Sequence, residues 1–158
     1  MHTIGILERG GGLSAFLTAH LPPALLEESD LCPAESLAAG EILDLLVVSP
    51  DWMGGDRAVP PCRAMLVPGR LAEPAGYLKA DWAVSFGLSP KDTLTLSSLE
   101  EKTIHLALQR EIVTLTGQRL DPQEFPLDRK DLSALCQVLA CVGVQLLLGV
   151  DPGEVCLD

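Results

Sequence analysis

Four short aliphatic runs limit what this chain can fold into. They are "TIGIL" (residues 3–7), "ILDLLVVSP" (42–50), "CRAMLVPG" (62–69) and "WAVSFG" (82–87), each bounded by Gly, Pro or Asp. Runs of this length with few polar interruptions suit strands buried on both faces. Such strands belong to mostly parallel sheets with a layer packed on either side. "TLTLSSLE" (93–100) reads as a fifth strand. A helical pattern covers 13–26, with Leu13, Phe16, Leu17, His20 and Leu21 near one face. Pro22 and Pro23 interrupt it, so that it ends at His20 or restarts at Pro22. A second short helix is expected over 33–39, stopped by Gly40, and "LAEPAGYLKAD" reads as a short helix or turn. Ile4, Ile6, Leu45, Val47, Leu66, Val84 and Leu96 are expected to line one sheet core.

After residue 101 the period changes. In "KTIHLALQREIVTLTGQRLDPQEFPL", Ile104, Leu106 and Leu108 alternate with His105, Ala107 and Gln109, the signature of antiparallel strands with one covered face. The same alternation puts Arg110 on the buried side, where Glu124 or Glu100 would have to neutralise it. A last helix is expected over 131–149. The whole predicts a single α/β domain over residues 1–158: a Rossmann-like, three-layer core whose mostly parallel sheet carries antiparallel strands toward the C-terminal half.

Charge narrows the function. Eleven Lys and Arg face 22 Asp and Glu, a net charge of −11 with no basic run. Phosphate backbones and anionic membranes are bound by clustered cations, so neither is an expected partner. Five cysteines, an odd number without C-x-x-C spacing, read as free thiols in a reducing cytoplasm. No signal segment opens the chain, since Met1 runs almost directly into a strand pattern. Cys62, Cys136 and Cys141 are expected to be packing residues. His2, His20 and His105 form no metal set with the cysteines. No G-x-S-x-G elbow surrounds Ser97 or Ser98.

The turn after the first run, "ERGGGLSA", holds a G-x-G-x-x-A pattern at Gly10, Gly12 and Ala15. Glycines that open a helix let a phosphate approach backbone N–H groups. Three features oppose a dinucleotide site. The helix is broken early by Pro22 and Pro23, strand two ends too far along to supply the ribose-binding acid, and Glu8 would repel a phosphate. No glycine precedes Lys-Ser or Lys-Thr, so there is no P-loop. A plain β–α turn, a dinucleotide site and a site for another small ligand stay open, and no cofactor is singled out. Ligands of open α/β sheets sit at the carboxyl ends of strands. The candidate ligand-binding residues are therefore Gly10, Gly11, Gly12, Asp51, Asp56 and Lys91, from three loops on one edge, with Asp92 beside Lys91 as a further polar group.

From Leu132 to Val150 no residue is charged, and Arg129 and Lys130 precede the run. That suits a tail anchor. Against it, Ser133, Gln137, Cys141 and Gln145 recur every four residues as a polar stripe, which suits a helix packed on a sheet with one wet edge. Any apolar part left exposed would serve a homodimer.

Residues 82–155 resemble the later part of the Mur ligase central domain. There a strand ends in an aromatic–Gly–Leu step before antiparallel strands, matched here by Phe86, Gly87 and Leu88. A small-residue-rich helix then ends in Leu-Gly-hydrophobic-Asp-Pro, matched by Leu148, Gly149, Val150, Asp151 and Pro152. The family's ATP-holding Gly-Lys-Thr/Ser loop and its metal ligands have no counterpart. The resemblance implies a fold and no ligase activity.

A cytoplasmic, non-enzymatic binding or accessory protein is the expected function. The alternatives are a nucleotide- or phosphate-ligand-binding enzyme domain using Gly10–Gly12, and a tail-anchored membrane protein. At low salt, where screening is weakest, micromolar protein should not retard random-sequence duplex DNA in a mobility-shift gel.

Overall fold

The aliphatic runs pair as neighbouring strands. A computed structural model describes residues 1–38, 40–54, 59–128 and 134–157. Strands β1 (His2–Leu7), β2 (Ser29–Pro33), β3 (Leu43–Val48), β4 (Cys62–Pro68), β5 (Ala80–Phe86) and β6 (Leu94–Leu99) lie parallel. β7 (Thr103–Leu108) then runs antiparallel to β6, and β10 (Gln123–Asp128) antiparallel to β7. Together they form one eight-stranded sheet in the order β10-β7-β6-β5-β4-β3-β1-β2. Two short strands, β8 (Ile112–Val113) and β9 (Arg119–Leu120), make a separate hairpin.

Burial follows the sequence pattern. In β4 every residue except Arg63 is buried, so both faces are covered. In β7 buried and half-buried residues alternate strictly, as one covered face requires. On one face lie α1 (Gly12–His20) and α3 (Leu135–Leu147), with Ile4, Ile6, Leu45, Val47, Leu66 and Val84 buried beneath them and Leu96 partly buried at the margin. The short α2 (Pro23–Glu27) packs Leu25 and Leu26 against the same cluster. The opposite face packs Leu46, Val48, Met65 and Val67 against Ala34, Leu71, Ala75 and Leu78. Its outer layer is made of turns, including the 3-10 turns Ala34–Ser36 and Gly69–Leu71.

Two expectations change here. The helix expected over 33–39 is a 3-10 turn, preceded by a strand, β2, that the sequence did not announce. "SDLCP" has little apolar character and is half exposed, and its pairing with β1 is what makes it a strand. The polar stripe of the last helix is not wet throughout. Cys141 and Gln145 are fully buried, while Ser133 lies outside the described residues. From Val138 to Leu147 every residue of α3 is buried, so this stretch offers no apolar face to a second copy. Among the described residues no helix is long and apolar enough to cross a membrane.

β5 and β6 share only the pair Phe86↔Leu94. That single pair allows a short parallel connection, over residues 87–93, where a full register would need a crossover. The antiparallel unit therefore joins the sheet at the carboxyl end of β5.

Gln145 needs partners because it is buried, and the C-terminal segment supplies them. Its Nε2 donates to the Cys156 carbonyl at 2.7 Å, and its Oε1 accepts from the Cys156 N–H at 3.1 Å. Replacing it leaves both backbone groups unpaired and opens a void. Gln145→Ala should lower the unfolding free energy by about 2 kcal/mol or more, read from urea denaturation with an unchanged slope.

Candidate functional site

Strand order reverses beside β1, since the chain passes from β1 to β2 on one side and then to β3 on the other. In open α/β sheets a crevice forms outside the carboxyl ends at such a point. The loops leaving β1 and β3 meet there. The Asp51 carboxylate accepts the Arg9 N–H on Oδ1 at 3.2 Å and the Gly10 N–H on Oδ2 at 3.0 Å. Burial raises the Asp51 carboxyl, but hydrogen bonds with Ser49 and with the amides of Arg9 and Gly10 outweigh it and hold the group below the ordinary carboxylate range.

Glu8 occupies the other half of the turn. Its Oε2 accepts the Ser14 N–H at 2.9 Å and its Oε1 accepts the Ser14 hydroxyl. α1 has no capping side chain at its N-cap, Gly11, so Glu8 supplies the negative charge that a helix N-terminus favours. Gly11 has φ +78°, a left-handed conformation, which explains a glycine at that place. The amides of Arg9, Gly10 and Ser14, which a phosphate would seek, are thus engaged by the chain's own carboxylates.

Farther along the same edge lies a half-open cavity of about 280 Å³. Pro50, Pro68, Phe86 and Leu88 give it apolar walls, and Arg70, Asp92 and Cys136 are its charged and thiol lining. Asp92 is only 4% exposed, and its carboxylate lies against Gly69 and Gly87. A Cβ on either glycine would fall 1.9 or 2.5 Å from a carboxylate oxygen. Gln109, directly after β7, fixes this loop, its Nε2 donating to the Pro90 and Asp92 carbonyls at 3.0 and 2.6 Å. Arg70 donates to the Pro50 carbonyl.

Of the six candidate residues, the structure joins Gly10 to Asp51, makes Gly11 the N-cap and starts α1 at Gly12. Lys91 is exposed, its N–H donating to Ser89 Oγ at 3.2 Å, and it does not line the cavity. Asp56 lies outside the described residues. Arg110 is exposed instead of buried, and donates to Thr93 Oγ1 at 3.1 Å, with neither Glu124 nor Glu100 as its partner. β7 ends at Leu108, so the alternation that pointed Arg110 inward no longer applies. Arg70 carried only a weak signal, a Gly-Arg step directly after an aliphatic run. Cys136 is exposed, not a packing residue, whereas burial with Asp81 nearby pushes the Cys62 thiol up to about 11. Among the described residues no group of His, Cys, Asp and Glu is placed to hold a metal ion.

Compared with known protein families and with curated proteins, the chain matches none.

The two glycines that open the helix should respond differently to substitution. Gly11→Ala should cost about 1 kcal/mol, because alanine resists positive φ. Gly12 has an ordinary φ, and an added Cβ would meet Gln137 Nε2 at 3.4 Å. Gly12→Ala should stay within about 0.5 kcal/mol of wild type. Paired urea titrations at neutral pH check the contrast.

Proposed function

We propose that the chain is a non-enzymatic, cytoplasmic binding domain that takes a small ligand at the carboxyl edge of its sheet, and that it does not use a nucleotide. One observation carries this reading. The amides best placed to hold a phosphate already bind Asp51 and Glu8. An incoming phosphate would have to displace two tethered carboxylates and face their charge. Farther along that edge is the cavity lined by Pro50 and Phe86, whose walls are mainly apolar.

The resemblance to the Mur ligase central domain supports the same reading, because the loop that holds ATP there has no counterpart here. The acidic balance, with net charge −11, argues against a nucleic-acid partner. A tail anchor is the weaker reading, since α3 from Val138 to Leu147 is buried against the sheet. A homodimer would have to use a surface other than that stretch.

Calorimetric titration with ATP, NAD and FAD tests the proposal. No heat of binding is expected at micromolar ligand. A micromolar dissociation constant for any of the three, abolished by replacing Gly11 and Gly12 with alanine, would establish the enzyme-domain alternative instead.

A further inference from the structure

The edge cavity contains an imbalance. A carboxylate has room for about four hydrogen bonds. Asp92 is 4% exposed, yet among the described residues its side chain accepts only one, from the Ser89 N–H to Oδ2 at 3.0 Å. Its oxygens occupy the space that side chains on Gly69 and Gly87 would take, and the residue lines the cavity. A buried carboxylate short of donors favours a ligand that brings them, and an ammonium group brings three.

Arg70 supplies the opposite charge on the same cavity. Its guanidinium has five N–H donors, one of which it gives to the Pro50 carbonyl. No ion pair joins Arg70 to Asp92 among the described residues. Two opposite charges therefore line one cavity without forming an ion pair, and Phe86, Pro68 and Leu88 add apolar surface to the same cavity.

We propose that this cavity binds a zwitterion with an apolar body, of the size and class of a free aliphatic or aromatic α-amino acid. The ammonium goes to Asp92, the carboxylate to Arg70, and the side chain to the apolar wall. An amine alone would satisfy Asp92 but add a second cation beside Arg70, and an acid alone would add a second anion beside Asp92. The volume, about 280 Å³, sits at the lower end of small-ligand pockets. The inference rests on the reading of this edge as a small-ligand site, and goes beyond it in naming the ligand class.

The test is calorimetric titration of the full chain with L-leucine, L-phenylalanine, isoamylamine and isocaproate. The last two are leucine without its carboxylate and without its amine. At least one amino acid should bind, and its one-charge analogues should bind about tenfold more weakly, since a hydrogen bond to a charged group contributes about that factor. Arg70→Gln, at an exposed position, should weaken leucine about tenfold and should not weaken isoamylamine, which loses a like charge beside it. Leu88→Trp, also at an exposed position, should block every probe while circular dichroism stays native. Asp92 is buried, so the proposal does not depend on a variant there. Silence with both amino acids overturns the proposal, as does isoamylamine binding as tightly as leucine. Binding that neither variant alters overturns the placement. If the amino acids are silent and ATP, NAD and FAD are silent too, only the ligand class fails, whereas nucleotide binding removes the reading of the edge beneath it.

Discussion

Strands buried on both faces must be covered on both faces, and most of this molecule follows from that constraint. In β3 only Asp44 escapes burial, and in β4 only Arg63. Both belong to one polar cluster, Asp44 accepting from the Thr3 N–H at 2.8 Å and lying 3.7 Å from Arg63. Everything else along these strands needs an apolar partner. On one face α3 provides it, which is why that helix is uncharged along its described length. On the other face no α-helix lies among the described residues, and the segment from Gly69 to Leu78 provides it with Leu71, Ala75 and Leu78. A charge-free stretch that resembles a membrane anchor in isolation is thus the expected composition of a helix laid across such a sheet.

Close packing also explains where side chains are missing. Gly143 lies in the middle of α3, and a Cβ there would come 2.7 Å from Leu66 of β4. Helix and strand can approach that closely only because one of them lacks a side chain. The cost of a glycine within a helix, about 1 kcal/mol, is offset by contact across the interface. At the carboxyl edge Gly69 and Gly87 do the same for a polar group, leaving space that the Asp92 carboxylate fills.

The sheet is legible in the sequence because burial on two faces leaves an aliphatic run, as β1, β3 and β4 show; β5, expected to be covered likewise, buries only Val84 and Phe86 and exposes Asp81 and Ala83. β7 is legible for the opposite reason, its alternation marking a single covered face. β2 is not legible. An edge strand with one neighbour needs no apolar run, and "SDLCP" has none. The site is legible only as an edge. Which strands end there can be read from their order, but the pairing of Asp51 with Gly10 joins residues far apart in the chain, and no local pattern encodes it. Glu8 is half legible. Its charge is enough to argue against phosphate, while its role in capping α1 through Ser14 appears only in three dimensions.

Charge along the edge divides it into two halves of different character. Glu8, Asp51 and Asp92 place three carboxylates there, in a chain whose net charge is already −11. The nearby cations do not neutralise them, since Arg9 is turned to Met53 Sδ and Arg70 to the Pro50 carbonyl. Backbone amides are what make the first two tolerable. Asp51 has two N–H groups, and Glu8 has an N–H and a hydroxyl at the start of a helix. Asp92 has a single N–H and far less contact with water. A ligand carrying net negative charge meets fixed repulsion along this edge, and finds the amides of Arg9, Gly10 and Ser14 already engaged. A ligand with no net charge, but with a donor at one end, avoids that repulsion and meets in Asp92 a buried carboxylate that accepts a single hydrogen bond among the described residues.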